Sequence, residues 1–176
     1  MRIGLASTLI VTAPGFALAA ISLSGASPPV PTIEEAVALV LVDKSDRELS
    51  LLSTNKKVLA SFPVVFGDNP VGHKQREGDE RTPEGRYTLD WRNPNSSYYL
   101  SVHVSYPNKD DVAAAEARGE DPGGMIMVHG QPNGLGWLAP VMQQRDWTDG
   151  CIALTNAHMD VVWNHVPNGT PIVIRP

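Results

Sequence analysis

Cysteine is almost missing: the 176 residues hold one, Cys151. A chain with a single cysteine forms no internal disulfide, so a cross-linked secreted scaffold is excluded. Cys151 is then an apolar filler, an intermolecular link or a reactive thiol. Aromatic residues are scarce at 6%, and charged residues, at 19%, are too sparse for a disordered chain. There is no Lys/Arg cluster, and the net charge is −5. This removes the electrostatic footprint of a nucleic-acid binder or of a domain held on an anionic membrane surface. The glycines lack phosphate-loop spacing, which leaves nucleotide binding without a motif. No internal repeat and no interdomain linker interrupts the chain, and no feature sets an oligomeric state.

Apolar residues make up 42% of the chain, enough for the core of one domain. Fifteen glycines and fifteen prolines suit a loop-rich sheet better than a helix bundle, so the expected class is mainly β with short helices. The N-terminus stands apart. Arg2 is followed by an uncharged run over residues 3–24, with small residues at Ala17, Ala19, Ser24 and Ala26. Residues 1–26 read as a cleaved signal peptide or an uncleaved N-terminal anchor, which would tether the protein to a membrane. Either way the remainder is exported, to the periplasm or cell envelope. Residues 27–35 form a Pro/Ser tether, and residues 36–176 the folded domain.

Within that domain, residues 36–43, 48–53 and 58–66 read as strands joined by short polar turns, hence partly antiparallel. Residues 67–85 form a long polar loop, functional or mobile by its length. Strands follow at 86–91 and 98–105. Residues 110–118 read as a short helix with an Asp cap, ended by Gly119. Residues 124–128 form an apolar strand that delivers His129, residues 131–149 are irregular, Thr155-Asn156 caps a helix over 157–166, and a strand closes the chain at 170–174.

The chemistry concentrates at His129-Gly130 and at Thr148-Asp149-Gly150-Cys151-Ile152-Ala153-Leu154. A thiol becomes a strong nucleophile as thiolate, and an imidazole beside it takes the proton and pairs with the anion. Gly150 removes a side chain next to the sulfur and permits a turn in which amides converge on an oxyanion. A histidine at the end of a buried strand is held as rigidly as a base requires.

Taken with Thr82-Pro83-Glu84-Gly85 upstream and with Asn156, Asp160 and residues 166–174 downstream, these strings resemble the YkuD-type L,D-transpeptidase catalytic domain family. The long loop, with Gly67-Asp68-Asn69-Pro70 and His73-Lys74, resembles its YafK-like branch. The likeness runs from about Val37 to Ile174. It implies a YkuD-like β-sandwich or barrel acting on peptidoglycan stem peptides, without cofactor or metal. A thioester would form on Cys151, with His129 as general base and the Gly130 carbonyl orienting the imidazole. Gly150, Thr148 and Asp149 would line the oxyanion and substrate site. The acyl group then passes to an amine acceptor on another stem. The same residues would serve a hydrolase, either an L,D-carboxypeptidase or an amidase releasing wall-attached protein, and a silent wall-binding domain would keep the fold. Two positions depart from the family pattern: Asp149 stands where most members have His, and Ala153 where most have Arg. The missing arginine would recognise the donor carboxylate, and Lys74, Arg76 or Arg81 are its candidate substitutes.

Other residues have competing readings. His103 is a satisfied core or surface histidine. His73 is at substrate or in solvent. His158 and His165 share a helix face without a third ligand, which argues against zinc. Trp137 and Trp147 are groove walls or packing under the loop.

Overall fold

In a computed structural model, which describes residues 32–176, the alternating apolar positions of the N-terminal half build a sheet one hairpin at a time. Strand β1 (Leu39–Asp43) pairs antiparallel with β2 (Glu48–Leu52), and β2 with β3 (Val58–Pro63). The polar turn between β1 and β2 does more than reverse the chain. Its Lys44 is buried, and Nζ donates to Glu84 Oε1 (2.7 Å), Gly72 O (2.7 Å) and Thr82 O (3.2 Å).

Strand β4 (Gly85–Asn93) runs antiparallel to β5 (Ser101–Val104), and β5 to β6 (Met127–His129). The C-terminal β8 (Thr170–Arg175) sits between β1, to which it is parallel, and β4, to which it is antiparallel. The two-residue β7 (Ile152–Ala153) lies parallel to β6. The order is β3-β2-β1-β8-β4-β5-β6-β7. Beyond Pro63 the chain continues to the far edge: Val65 and Ala153 exchange both main-chain hydrogen bonds, 3.1 and 2.9 Å. Of the two expected forms, sandwich and barrel, the chain adopts a single sheet curled into a half-barrel, with its first and last strands joined at one end.

The concave side is filled by Val40, Val42, Leu49, Leu51, Phe62, Phe66, Leu89, Val104, Val128, Ile152, Ile172 and Ile174, together with helix α3 (Asn156–His165). Met159, Val162 and Val166 of the helix region are fully buried, as a three-to-four-residue apolar spacing requires. Thr155 accepts from the His158 amide as N-cap. Helix α1 (Lys109–Glu116) begins one residue before the expected start. Its cap is Asn108, whose side chain accepts from the Asp110 and Asp111 amides while the Asp111 carboxylate accepts from the Asn108 amide. That reciprocal arrangement outcompetes a cap at Asp110.

The structure departs from the expected elements in three places. Residues 98–100 leave the strand, because Tyr99 adopts φ +65° to turn its neighbours around Gly130. Residues 124–126 do not join β6. The irregular stretch holds a 3-10 turn (Gly136–Leu138) and helix α2 (Ala139–Met142). The first of these answers to a tertiary neighbour, since the Gly130 amide donates to Tyr98 O and Leu100 O. The long loop is held at several points by side chains: by Lys44, by an ion pair between Lys74 and Asp79, and by His73. His73 Nδ1 accepts from the Glu84 amide, and its Nε2 lies 3.1 Å from Asp111. Both ring nitrogens of His73 thus have partners that tie the loop to β4 and α1. The expected signal or anchor segment and most of the tether lie outside the described residues. Among the described residues no helix is long and apolar enough to cross a membrane.

Candidate active site

His129 is the last residue of β6 and Cys151 the residue just before β7. The register pairs Val128 with Ile152 and His129 with Ala153, so Cys151 and His129 are diagonal neighbours on one face of the parallel pair. Both line a cavity of about 200 Å³ with Ser96, Tyr98, Met127 and Trp147. Met125, 65% exposed, stands at its rim.

Local chemistry fixes the imidazole. Nδ1 lies 2.7 Å from the Gly130 carbonyl, which only accepts, so Nδ1 carries the proton and Nε2 keeps a lone pair. Tyr98 packs against the ring with centroids 4.7 Å apart, and Trp147 meets it edge-on at 5.7 Å. Burial pushes the His129 pKa down to about 4, against a small opposing effect of the Gly130 carbonyl. The ring is thus neutral at neutral pH. Gly130 has no room for a side chain: a Cβ would stand 2.7 Å from Asn156 Oδ1 and 2.9 Å from the Tyr99 Cβ. Asn156 in turn accepts from the Gln131 amide, and Asp160 accepts from the Tyr99 hydroxyl, so helix α3 braces the turn after the histidine.

The sulfur is partly exposed. Sγ accepts from the Met127 amide at 3.4 Å, and its own proton is directed at Met125 O, 3.8 Å away. It makes no hydrogen bond to His129. Burial raises the Cys151 thiol above its ordinary range, Asp149 adds to the rise, and the Met127 amide and Lys74 oppose it. The resting pair is therefore thiol and neutral imidazole, not the thiolate–imidazolium pair that the sequence suggested. Two desolvated groups hold no charge until a substrate needs it.

The turn that presents the sulfur is strained and clamped. Gly150 has φ +121°, and a Cβ there would lie 2.6 Å from Arg81 O, so glycine is required. Thr148 is buried. Its hydroxyl donates to Cys151 O (2.8 Å) and accepts from the Gly150 amide (3.2 Å). That amide is thereby occupied, whereas the Asp149 and Cys151 N–H groups of this turn have no partner among the described residues. Asp149 is exposed at the cavity, and its carboxylate accepts no hydrogen bond among the described residues. The neighbouring Asp146 receives the Phe66 amide (2.8 Å) and both terminal nitrogens of Arg47 (2.7 Å each), stitching the turn to the segment after β3.

Ala153 is fully buried between His129 and Val65. Of the three candidate cations, Arg76 pairs with Glu120 at 2.9 Å on the surface. Lys74 is buried on Asp79. Arg81 has no acidic partner among the described residues, and its buried Nε finds no acceptor. Trp147 forms a cavity wall, whereas Trp137 is 75% exposed and packs under nothing. His103 lies on Asp90 (2.7 Å) and stacks on Trp91, and His158 stacks on Phe62. Among the described residues no group of histidine, cysteine and acidic side chains is placed to hold a metal. Tyr98 went unnoticed in the sequence. Its contact with His129 depends on a turn that no local pattern announces.

A sequence model of the L,D-transpeptidase catalytic domain, YkuD, matches residues 38–174. YafK of Escherichia coli (strain K12) is 29% identical over 133 residues, covering 72% of this chain and 46% of YafK, so the chain spans about half of that relative's length. The fold is similar to the helical cell shape determining protein Pgp2 of Campylobacter jejuni (26% identity, TM-score 0.60, 83% of this chain, 50% of that one). An L,D-transpeptidase from Xylanimonas cellulosilytica shares the fold at 16% identity, with TM-score 0.54, 82% of this chain and 63% of that one covered.

Proposed function

The chain belongs to the YkuD family of L,D-transpeptidase catalytic domains, and from that premise we propose that it transfers acyl groups between peptidoglycan stem peptides through a thioester on Cys151. The observation that carries this reading is the free Nε2 lone pair of His129 and the Cys151 sulfur on the wall of one cavity. Peptidoglycan lies outside the cytoplasm, so the proposal includes export to the periplasm or cell envelope, with residues 1–26 as signal or anchor and a membrane tether if they stay attached.

The donor carbonyl enters beside Sγ, and the thiol rotates from Met125 O toward His129. As Sγ bonds to the carbonyl carbon, the thiol proton passes to Nε2 and the carbonyl oxygen takes the negative charge. The unpartnered Cys151 N–H is the donor closest in the chain to that oxygen, and the Thr148 clamp holds it in place. The C–N bond then breaks, and the leaving amine departs with the proton from Nε2. An acceptor amine attacks the thioester, loses its proton to Nε2, and the thiol is restored. Water in place of the amine gives hydrolysis. Nothing in this sequence of steps calls for a cofactor.

Incubating the exported form with defined muropeptides and weighing the products tests the reading. Crosslinked dimers are the expected result. Trimmed stems or released wall-linked peptide would replace transfer by hydrolysis with the same pair, and untouched substrate would sink both in favour of a binding domain.

A further inference from the structure

The cavity that holds Cys151 and His129 has a one-sided charge. Of the described residues that line it, with His129 neutral, Asp149 alone carries a charged side chain. Asp149 is exposed, and its carboxylate has no hydrogen-bond or ion-pair partner among the described residues. Cations of other loops are committed elsewhere: Arg47 to Asp146 (2.7 Å), Lys74 to Asp79 (2.9 Å) and Arg76 to Glu120 (2.9 Å). The rest of the wall also suits a positive charge. Tyr98 and Trp147 both line the cavity, their rings stacked with centroids 6.1 Å apart, and aromatic faces attract cations. Ser101 stands opposite His129 in the pairing of β5 with β6 and lines the same cavity. It is only 2% exposed, yet its hydroxyl has no hydrogen-bond partner among the described residues. A buried hydroxyl left open is costly until a ligand or water completes it. The cavity thus presents a free carboxylate, two aromatic rings and an open hydroxyl, and among the described lining residues no cation.

Resting on the thioester reading above, we propose that Asp149 is a specificity-determining residue, selecting a donor stem that carries a free primary ammonium beside the carbonyl attacked by Cys151. One residue, Gly150, separates Asp149 from Cys151, so a group held by the carboxylate lies next to the reacting centre. The ammonium pairs with Asp149 and is attracted by the rings of Tyr98 and Trp147, while the Ser101 hydroxyl takes a further polar group of the same stem. This ammonium is not the attacking amine. A carboxylate beside an amine favours its protonated form, which has no lone pair to attack a thioester. It is a second amino group, on a side chain of the donor stem. The same carboxylate repels a stem that turns a carboxylate toward this wall, and among the described lining residues no lysine or arginine offsets the repulsion.

The first test needs no wall substrate. The full chain is treated with three methanethiosulfonates, one bearing a trimethylammonium group, one a sulfonate and one only a methyl group. Each forms a disulfide on Cys151 and releases methanesulfinate. Because the same sulfur attacks all three, the ratio of rates cancels any change in its own reactivity. Relative to 2-mercaptoethanol, the native protein should favour the cationic over the neutral reagent by about threefold or more, and disfavour the anionic one. Asp149→Asn, at an exposed position without internal bonds, should fold and lose both preferences. Asp110→Asn removes the same charge from the exposed first turn of α1, away from the cavity, and should keep them. The second test is calorimetry on Cys151→Ala with a stem peptide bearing a free side-chain amine and with its N-acetylated twin. The free amine should bind about threefold or more tightly, and Asp149→Asn in the same background should remove the difference. A reagent preference that is absent, that survives Asp149→Asn or that falls equally in Asp110→Asn overturns the proposal, as does equal binding of the two peptides. If neither peptide binds while the reagent preference holds, the peptidoglycan reading fails and the cation site stands.

Discussion

His129 is held neutral by what surrounds it, and that has two consequences of fixed sign. Its folded pKa, about 4, lies below the ordinary 6.5. Between those values the unfolded chain binds a proton that the native one refuses. Stability is therefore complete above about 6.5 and declines as pH falls toward about 4. The same depression keeps the base functional in mild acid, so the acid limb of kcat/KM should fall near pH 4 and not near 6.5, as a pH–rate profile would reveal. Cys151→Ala should abolish turnover, and His129→Ala should lower kcat by about 10²–10⁴-fold while the protein stays folded. Restoring the family's arginine by Ala153→Arg would bury a guanidinium where a methyl group now fits; a loss of about 3 kcal/mol or more is expected in denaturant melts. His129, Cys151 and Gly150 were legible in the sequence because strand-end, glycine and motif signals are all local. The neutral charge state was not, because it depends on Tyr98 and Trp147, which pack on the ring from remote parts of the chain.

At the level of elements, strands and helices followed their periodicity, and the misses fell where a neighbour decided. β7 is two residues long, too short for any pattern, and it exists because β6 and Val65 flank it. The α1 cap moved to Asn108 because only from there can Asp111 reach back. Asn108→Ala should cost about 1 kcal/mol in thermal or urea unfolding, with activity unchanged, since α1 touches nothing in the cavity. Gly150→Ala acts differently. A side chain at φ +121° facing Arg81 O should cost about 2–3 kcal/mol and displace the thiol as well. The expected readout is a lowered melting temperature together with a fall in kcat larger than the stability loss explains.

The described residues form one sheet whose two ends meet, and the segment that carries Cys151 hangs from that junction. Thr148 and Trp147 bond to Phe66, Ala153 bonds to Val65, and Asp146 is clamped by Arg47 from the turn between β1 and β2. General features of this architecture were readable in advance, such as the β class and the partly antiparallel hairpins. The seam was not, because it joins residues far apart in sequence through backbone atoms that any side chain carries. Its consequence is a lack of intermediate failure. Prising the seam apart strands the amides of two segments at once and scatters the reactive groups, so warming should extinguish turnover and near-ultraviolet dichroism along a single curve, leaving no half-competent species to accumulate.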